Sequence, residues 1–66
     1  MQLTVNGEAV SLEDGTTVAQ LVAERAEEHR RVAVARNGGV VPRSAWDRTP
    51  LAPGDAVEVL VAVAGG

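Results

Sequence analysis

Residues 56–66 read AVEVLVAVAGG, and this stretch decides the fold. Successive side chains of a strand point to opposite faces, so Val57, Val59, Val61 and Val63 share one face. Ala56, Glu58, Leu60 and Ala62 share the other face. Because the strand is apolar on both sides, we predict a central place in a sheet, with Glu58 marking the solvated face and the valines under a helix.

The beginning of the chain predicts a β-hairpin. MQLTV at 1–5 and EAVSL at 8–12 alternate between apolar and polar residues, and Asn6-Gly7 separates them. Asn-Gly favours a tight turn in which both central residues have positive φ. The two stretches are therefore antiparallel strands, and we expect the last strand to lie beside the first.

A helix follows the hairpin. Thr17 and Gln20 have the spacing of a capping box, in which each side chain bonds the other residue's backbone N–H. Apolar residues then recur at helical spacing, which predicts a helix from 18 to about 29 with His29 on its surface. The apolar positions are Val18, Leu21, Val22 and Ala26.

The middle of the chain predicts shorter elements. RVAVAR predicts a strand over 32–36, and NGG at 37–39 predicts a turn after it. VVP predicts a short extended piece that ends at Pro42, because proline cannot donate a hydrogen bond to a β-ladder. SAWD favours a single helical turn capped by Ser44, with Trp46 as a lid over the edge of the core. The order β-β-α-β-β predicts an α+β domain over 1–66, with a mixed sheet of four to five strands and one main helix on one face.

Composition excludes several function classes. The 66 residues carry a net charge of −3, no Cys and one His, and the six basic residues are all Arg. A basic nucleic-acid surface, a disulfide framework and a P-loop are therefore not expected. No apolar run is long enough to span a bilayer and no signal-peptide start is present, so a cytoplasmic protein away from the membrane is expected.

No pattern of catalytic residues is evident. Cys and Lys are absent, and Ser11 and Ser44 lack a nucleophile-elbow sequence. The carboxylate pairs 13–14 and 27–28 are expected in a turn and on a solvated helix face, with no surrounding pocket that would suit general acid–base chemistry. We therefore expect the chain not to be an enzyme by itself.

The final glycines direct attention to the tail. A flexible tail at about 63–66 reaches roughly 13 Å when extended, and Gly65-Gly66 fits a channel too narrow for any Cβ. At its tip the α-carboxylate of Gly66 is expected to be ionised, since α-carboxyl groups ordinarily have a pKa of about 3.5, and an ionised carboxylate is a poor electrophile. It needs activation, and because this chain has no nucleotide-binding motif, the activating enzyme must be a partner.

Three stretches carry a resemblance to a known family. They are DGTTVAQLV at 14–22, VARNGGVVPRSAWD at 34–47 and LAPGDAVEVLVAVAGG at 51–66. In this order they resemble the ThiS family, the small sulfur carriers of thiamine biosynthesis, within the ubiquitin-like β-grasp fold. The stretches cover nearly the whole chain, and their combination is more specific than any one of them.

The resemblance implies a mechanism carried out with partners. An E1-like adenylyltransferase uses ATP and Mg²⁺ to adenylate the Gly66 carboxylate, while this chain binds no cofactor. A sulfur donor of the cysteine desulfurase or rhodanese type then leaves a thiocarboxylate, which supplies sulfur to thiazole synthase. Ala64 and Gly65 are expected to occupy the partner channel, and Leu60 and Ala62 to form a docking surface for both enzymes.

Three alternatives remain open at this point. The small subunit of a molybdopterin synthase-like system shares the Gly-Gly ending, but the NGGVVPRSAW stretch fits the thiamine carrier better. A β-grasp interaction module with an inert tail and a protein conjugator that forms isopeptide bonds are the others. The mass of the chain after incubation with an E1-like enzyme, ATP and a sulfur source distinguishes carrier, module and conjugator.

Overall fold

The computed structural model describes residues 1–25 and 31–61. Within these residues the element order matches the predicted α+β pattern, with the VVP piece forming a strand of its own. The elements are β1 (Gln2–Val5), β2 (Glu8–Ser11), α1 (Val18–Arg25), β3 (Val32–Arg36), β4 (Gly39–Val41), a 3₁₀ helix (Arg43–Arg48) and β5 (Ala56–Val61).

The described strands form one mixed sheet in the order β2-β1-β5-β3-β4. The predicted central position of the last strand is confirmed, since β5 pairs in parallel with β1 and antiparallel with β3. Asn6 and Gly7 have φ of 52° and 83°, as the hairpin turn requires. The same conformation recurs at Asn37 and Gly38, which join β3 to β4.

The helix begins where the capping box predicts. The Gln20 backbone N–H donates to Thr17 Oγ1 at 3.2 Å, and the Thr17 N–H donates to Gln20 Oε1 at 2.9 Å. The apolar residues of α1 pack on one face of the sheet. The core formed there includes Leu3, Val5, Val18, Leu21, Val22, Val34, Val57 and Val59.

Three expectations about side chains are corrected. Val61 was predicted to lie under the helix, but it is 53% exposed, because the core on that face of β5 ends at Val59. Ser44 was predicted to cap the short helix, but that helix follows Pro42 and has no side-chain cap. Trp46 is deeper than a lid: it is 6% exposed in the core, and its Nε1–H donates to the Val41 carbonyl at 2.9 Å.

Several predictions fall outside the described residues. The predicted end of the helix and His29 lie in 26–30. Ala62, Val63, Ala64, Gly65 and Gly66, which include the whole tail, lie in 62–66.

Candidate functional site: an apolar sheet face before the tail

The face of the sheet opposite α1 carries large exposed apolar side chains. On β5, Leu60 is 62% exposed, and the register places Ala33 of β3 beside it. On β4, Val40 is 80% exposed and lies opposite Ala35 of β3. Successive pairing from β4 through β3 to β5 therefore makes one surface, which we call the open face: Ala33, Ala35, Val40 and Leu60.

The open face has the character of a docking surface. Its two large side chains stand on opposite sides of small alanines, which leaves a shallow apolar area that another protein can cover. Glu58 is exposed on the same face of β5, opposite Ala35, and supplies a charge beside the apolar area. Apolar patches with polar neighbours are typical of protein interaction sites.

Sequence reasoning placed Leu60 on this surface but missed Val40. The sequence feature that could have predicted the position of Val40 is the two-residue turn at Asn37-Gly38, because a turn of that length fixes the pairing of the strands on either side. Counting outward from it puts Arg36 opposite Gly39 and Ala35 opposite Val40. Val40 must then point to the same face as Ala35.

A buried polar network fixes the start of β5. Asp55 is 6% exposed and receives hydrogen bonds from Arg36 Nε and the Ala52 N–H, both at 2.8 Å, and from Asn37 Nδ2 at 3.0 Å. Burial alone would raise the pKa of Asp55, but these bonds outweigh it and hold the pKa below its ordinary value of 3.8. The carboxylate thus ties the start of β5 to the end of β3 and the turn after it.

Of the predicted site residues, the described part of the chain includes Leu60, which is exposed as its position in the strand predicts. Its docking role stays a prediction, as do the roles of Ala62, Ala64, Gly65 and Gly66. Within 1–25 and 31–61, no group of three His, Cys, Asp or Glu side chains could hold a metal ion. In those same ranges no helix has the length and apolar character needed to cross a membrane.

Comparison with known proteins decides the family. The model of the ThiS family matches residues 2–66, nearly the whole chain. The chain belongs to the ThiS family. The resemblance seen in the sequence is thereby confirmed, and with it the role of sulfur carrier protein in thiamine biosynthesis.

Curated relatives agree with ThiS membership. The chain is 30% identical over 66 residues to the sulfur carrier protein ThiS of Escherichia coli, and the match covers 100% of both chains. It is 35% identical over 66 residues to a thiazole synthase of Paramagnetospirillum magneticum. In that case the match covers 100% of this chain and 20% of the relative, so the chain spans a fifth of that protein.

Solved structures confirm the ubiquitin-like β-grasp fold. The crystal structure of a thiamine biosynthesis protein (ThiS) from Geobacter metallireducens superposes with a TM-score of 0.83 at 38% identity, covering 100% of both chains. A solution structure of a thiamine biosynthesis protein from the same organism gives a TM-score of 0.80 at 38% identity. That match covers 100% of this chain and 88% of the other.

Proposed function

We propose that this ThiS-family sulfur carrier holds its sulfur as a thiocarboxylate at Gly66. The observation that carries the proposal is the family match through residue 66, which includes the Gly65-Gly66 pair. The full-length match to a sulfur carrier protein of equal extent supports it. In this proposal residues 1–66 form a single carrier domain with a flexible tail at about 63–66, and the chain acts in the cytoplasm without being an enzyme.

The chemistry at Gly66 proceeds in three steps. A carboxylate oxygen attacks the α-phosphorus of ATP, which forms the acyl adenylate and releases pyrophosphate. The terminal sulfur of a donor persulfide attacks the acyl carbon and displaces AMP, so that an acyl disulfide joins carrier and donor. A thiol of the donor system then reduces the S–S bond and releases the thiocarboxylate.

Three classes of partner are required. An E1-like adenylyltransferase supplies the ATP and Mg²⁺ site, because the carrier has no Lys for a P-loop. A cysteine desulfurase or a rhodanese-type protein supplies the persulfide. Thiazole synthase consumes the thiocarboxylate, and the match of this chain to one fifth of a thiazole synthase supports that partnership.

The open face is the proposed docking surface for both enzymes. Leu60 lies on the strand that leads to the tail, and Ala62 follows two residues later. A partner that covers Leu60 and Val40 would hold the carrier while Ala64 and Gly65 enter the channel. Both enzymes must receive the same tail, so both are expected to use this surface.

An intact-mass measurement tests the function. The chain is incubated with an E1-like adenylyltransferase, ATP, Mg²⁺ and a persulfide-loaded sulfur donor, and a matched sample lacks ATP. Replacement of one oxygen by one sulfur at Gly66, seen only with ATP, is the expected result. An unchanged mass would indicate an interaction module, and attachment to a lysine of another protein would indicate a conjugator.

A further inference from the structure

The side chain of Asn6 contacts the strand that leads to the tail. Its Nδ2 donates to the Val59 carbonyl at 3.1 Å, and its Oδ1 accepts from the Val59 N–H at 2.8 Å. The Asn6 backbone N–H also donates to the Val57 carbonyl at 2.9 Å. Asn6 thus holds two residues of β5, Val57 through its backbone and Val59 through its side chain, the latter across a sequence separation of 53 residues.

These two side-chain bonds replace part of a β-ladder. The Thr4 N–H donates to the Asp55 carbonyl and the Asn6 N–H to the Val57 carbonyl, so continued pairing would bring the N–H of residue 8 to Val59. The chain instead turns at Asn6, where φ is 52°, and residue 8 begins β2. The Asn6 amide occupies the place of the missing peptide group, offering one donor and one acceptor.

A second asparagine provides an internal comparison. Asn37 also occupies the first position of a tight turn, with φ of 51°, and its Oδ1 accepts from the Ala56 N–H at 2.9 Å. Asn37 therefore holds the beginning of β5, and Asn6 holds it near the end from which residues 62–66 continue. Beyond Val57 no β1 residue pairs with β5, since the described β1–β5 register ends there.

We propose that Asn6 is a positioning residue for sulfur transfer, an inference that rests on the proposed function. Its amide holds the last part of β5 on the side where β1 has turned away, and so fixes the end of the strand from which residues 62–66 continue. Leu60 is held by its pairing with Ala33 on the other side of β5, where Asn6 makes none of its bonds to this strand. Loss of the amide therefore affects delivery of the tail more than docking through the open face.

The test compares Asn6→Gly with Asn37→Gly. Glycine accepts positive φ, so each variant keeps its turn and loses only the amide. Asn37→Gly is a stringent control, because it also removes the bond from Asn37 Nδ2 to buried Asp55. Each variant removes two side-chain hydrogen bonds, but one of those lost in Asn37→Gly goes to a carboxylate, which makes it the stronger kind. If stability alone governed the rate, Asn37→Gly should therefore be slowed at least as much as Asn6→Gly.

Sulfur acceptance is measured as the initial rate of thiocarboxylate formation at several carrier concentrations, with the E1-like enzyme limiting and ATP and the sulfur donor in excess. We expect Asn6→Gly to lower kcat by about tenfold with KM within about twofold, because misplaced reacting groups slow the chemical step. Asn37→Gly is expected to keep both values within about twofold. Hydrogen exchange at the Val59 amide is expected to accelerate in Asn6→Gly only.

Equal kcat for Asn6→Gly and the unaltered chain would overturn the positioning role while leaving the proposed function intact. A loss in both variants that follows their melting temperatures would also overturn it, by showing that stability is the cause. Failure of the unaltered chain to take up sulfur would overturn the proposed function, and the positioning role with it.

Discussion

Arg36 Nε donates a hydrogen bond to Asp55 Oδ2 at 2.8 Å, and this ion pair joins the last residue of β3 to the residue before β5. The two groups differ in environment, since the Asp55 side chain is 7% exposed and that of Arg36 is 31% exposed. Water therefore screens the arginine more than the aspartate. The buried carboxylate is stabilised by its hydrogen bonds. Protonation of Asp55 should therefore lower the free energy of unfolding.

The first prediction concerns pH. Because the folded-state pKa of Asp55 lies below its ordinary value of 3.8, the native state binds this proton less readily than the unfolded chain does. The Asp55 contribution to the free energy of unfolding is therefore present above about pH 4 and is lost as the pH falls through the folded-state pKa. Urea unfolding from pH 7 down to pH 2 should show the decline.

Asp55→Asn isolates this contribution from those of the other carboxylates. At pH 7 the variant should be less stable by about 1–3 kcal/mol, because Arg36 and the Ala52 N–H lose their charged acceptor. The difference between the two proteins should shrink on acidification. A difference independent of pH would show that protonation of Asp55 does not govern the decline.

The second prediction concerns the capping box. Thr17→Ala should lower the free energy of unfolding by about 1 kcal/mol, which corresponds to about 4–8 °C in melting temperature for a chain of this size. Gln20→Ala removes the reciprocal bond to the Thr17 N–H. The two changes should be less than additive in the double variant, since they disrupt one motif. An unchanged melting temperature for Thr17→Ala would contradict the cap.

Local signals account for the features of the fold that the sequence predicted. Asn6-Gly7, Asn37-Gly38 and the capping box at Thr17 each depend on a few neighbouring residues, and the structure has all three. The central position of β5 followed from its apolar character on both faces, which is a property of the strand itself.

Sequence reasoning missed the features that depend on contacts between residues far apart in the chain. Asp55 reads as a turn residue in PGD, and nothing near it shows that Arg36, which is 19 residues away, supplies its partner. The Asn6 contact with Val59 spans 53 residues and requires knowing where β1 ends beside β5. Val61 was misplaced for the same reason, because periodicity gives the face of a side chain but not whether a neighbouring element extends far enough to cover it.

The third prediction concerns the proposed tail. Deleting Gly66 should abolish sulfur uptake, because the new terminal carboxylate, on Gly65, lies one residue, roughly 3.5 Å, short of the position at which a partner's active site receives it. Gly65→Val should reduce uptake strongly, because a branched Cβ does not fit a channel shaped for glycine. Thermal melts should match those of the unaltered chain in both cases, since the core formed by the described residues extends from Leu3 to Val59. Normal sulfur uptake by either variant would contradict a narrow channel or the role of Gly66.

The last prediction concerns the open face. Leu60→Asp should weaken binding to the E1-like enzyme and to thiazole synthase by tenfold or more, on the order of 1.4 kcal/mol, since an aspartate must lose its water when a partner covers it. Stability should change little, because Leu60 is 62% exposed. Affinities measured by calorimetry and melts measured by circular dichroism separate the two effects.

Val40→Asp and Ala23→Asp complete that experiment by adding the same charge at other places. Val40 lies on the open face and is 80% exposed, so its variant should weaken both partners as Leu60→Asp does. Ala23 is exposed on α1, which covers the opposite side of the sheet, so its variant should bind normally. If Leu60→Asp binds both enzymes as the unaltered chain does, the docking surface lies elsewhere. If Ala23→Asp weakens binding as much as Leu60→Asp does, the added negative charge and not its position is responsible.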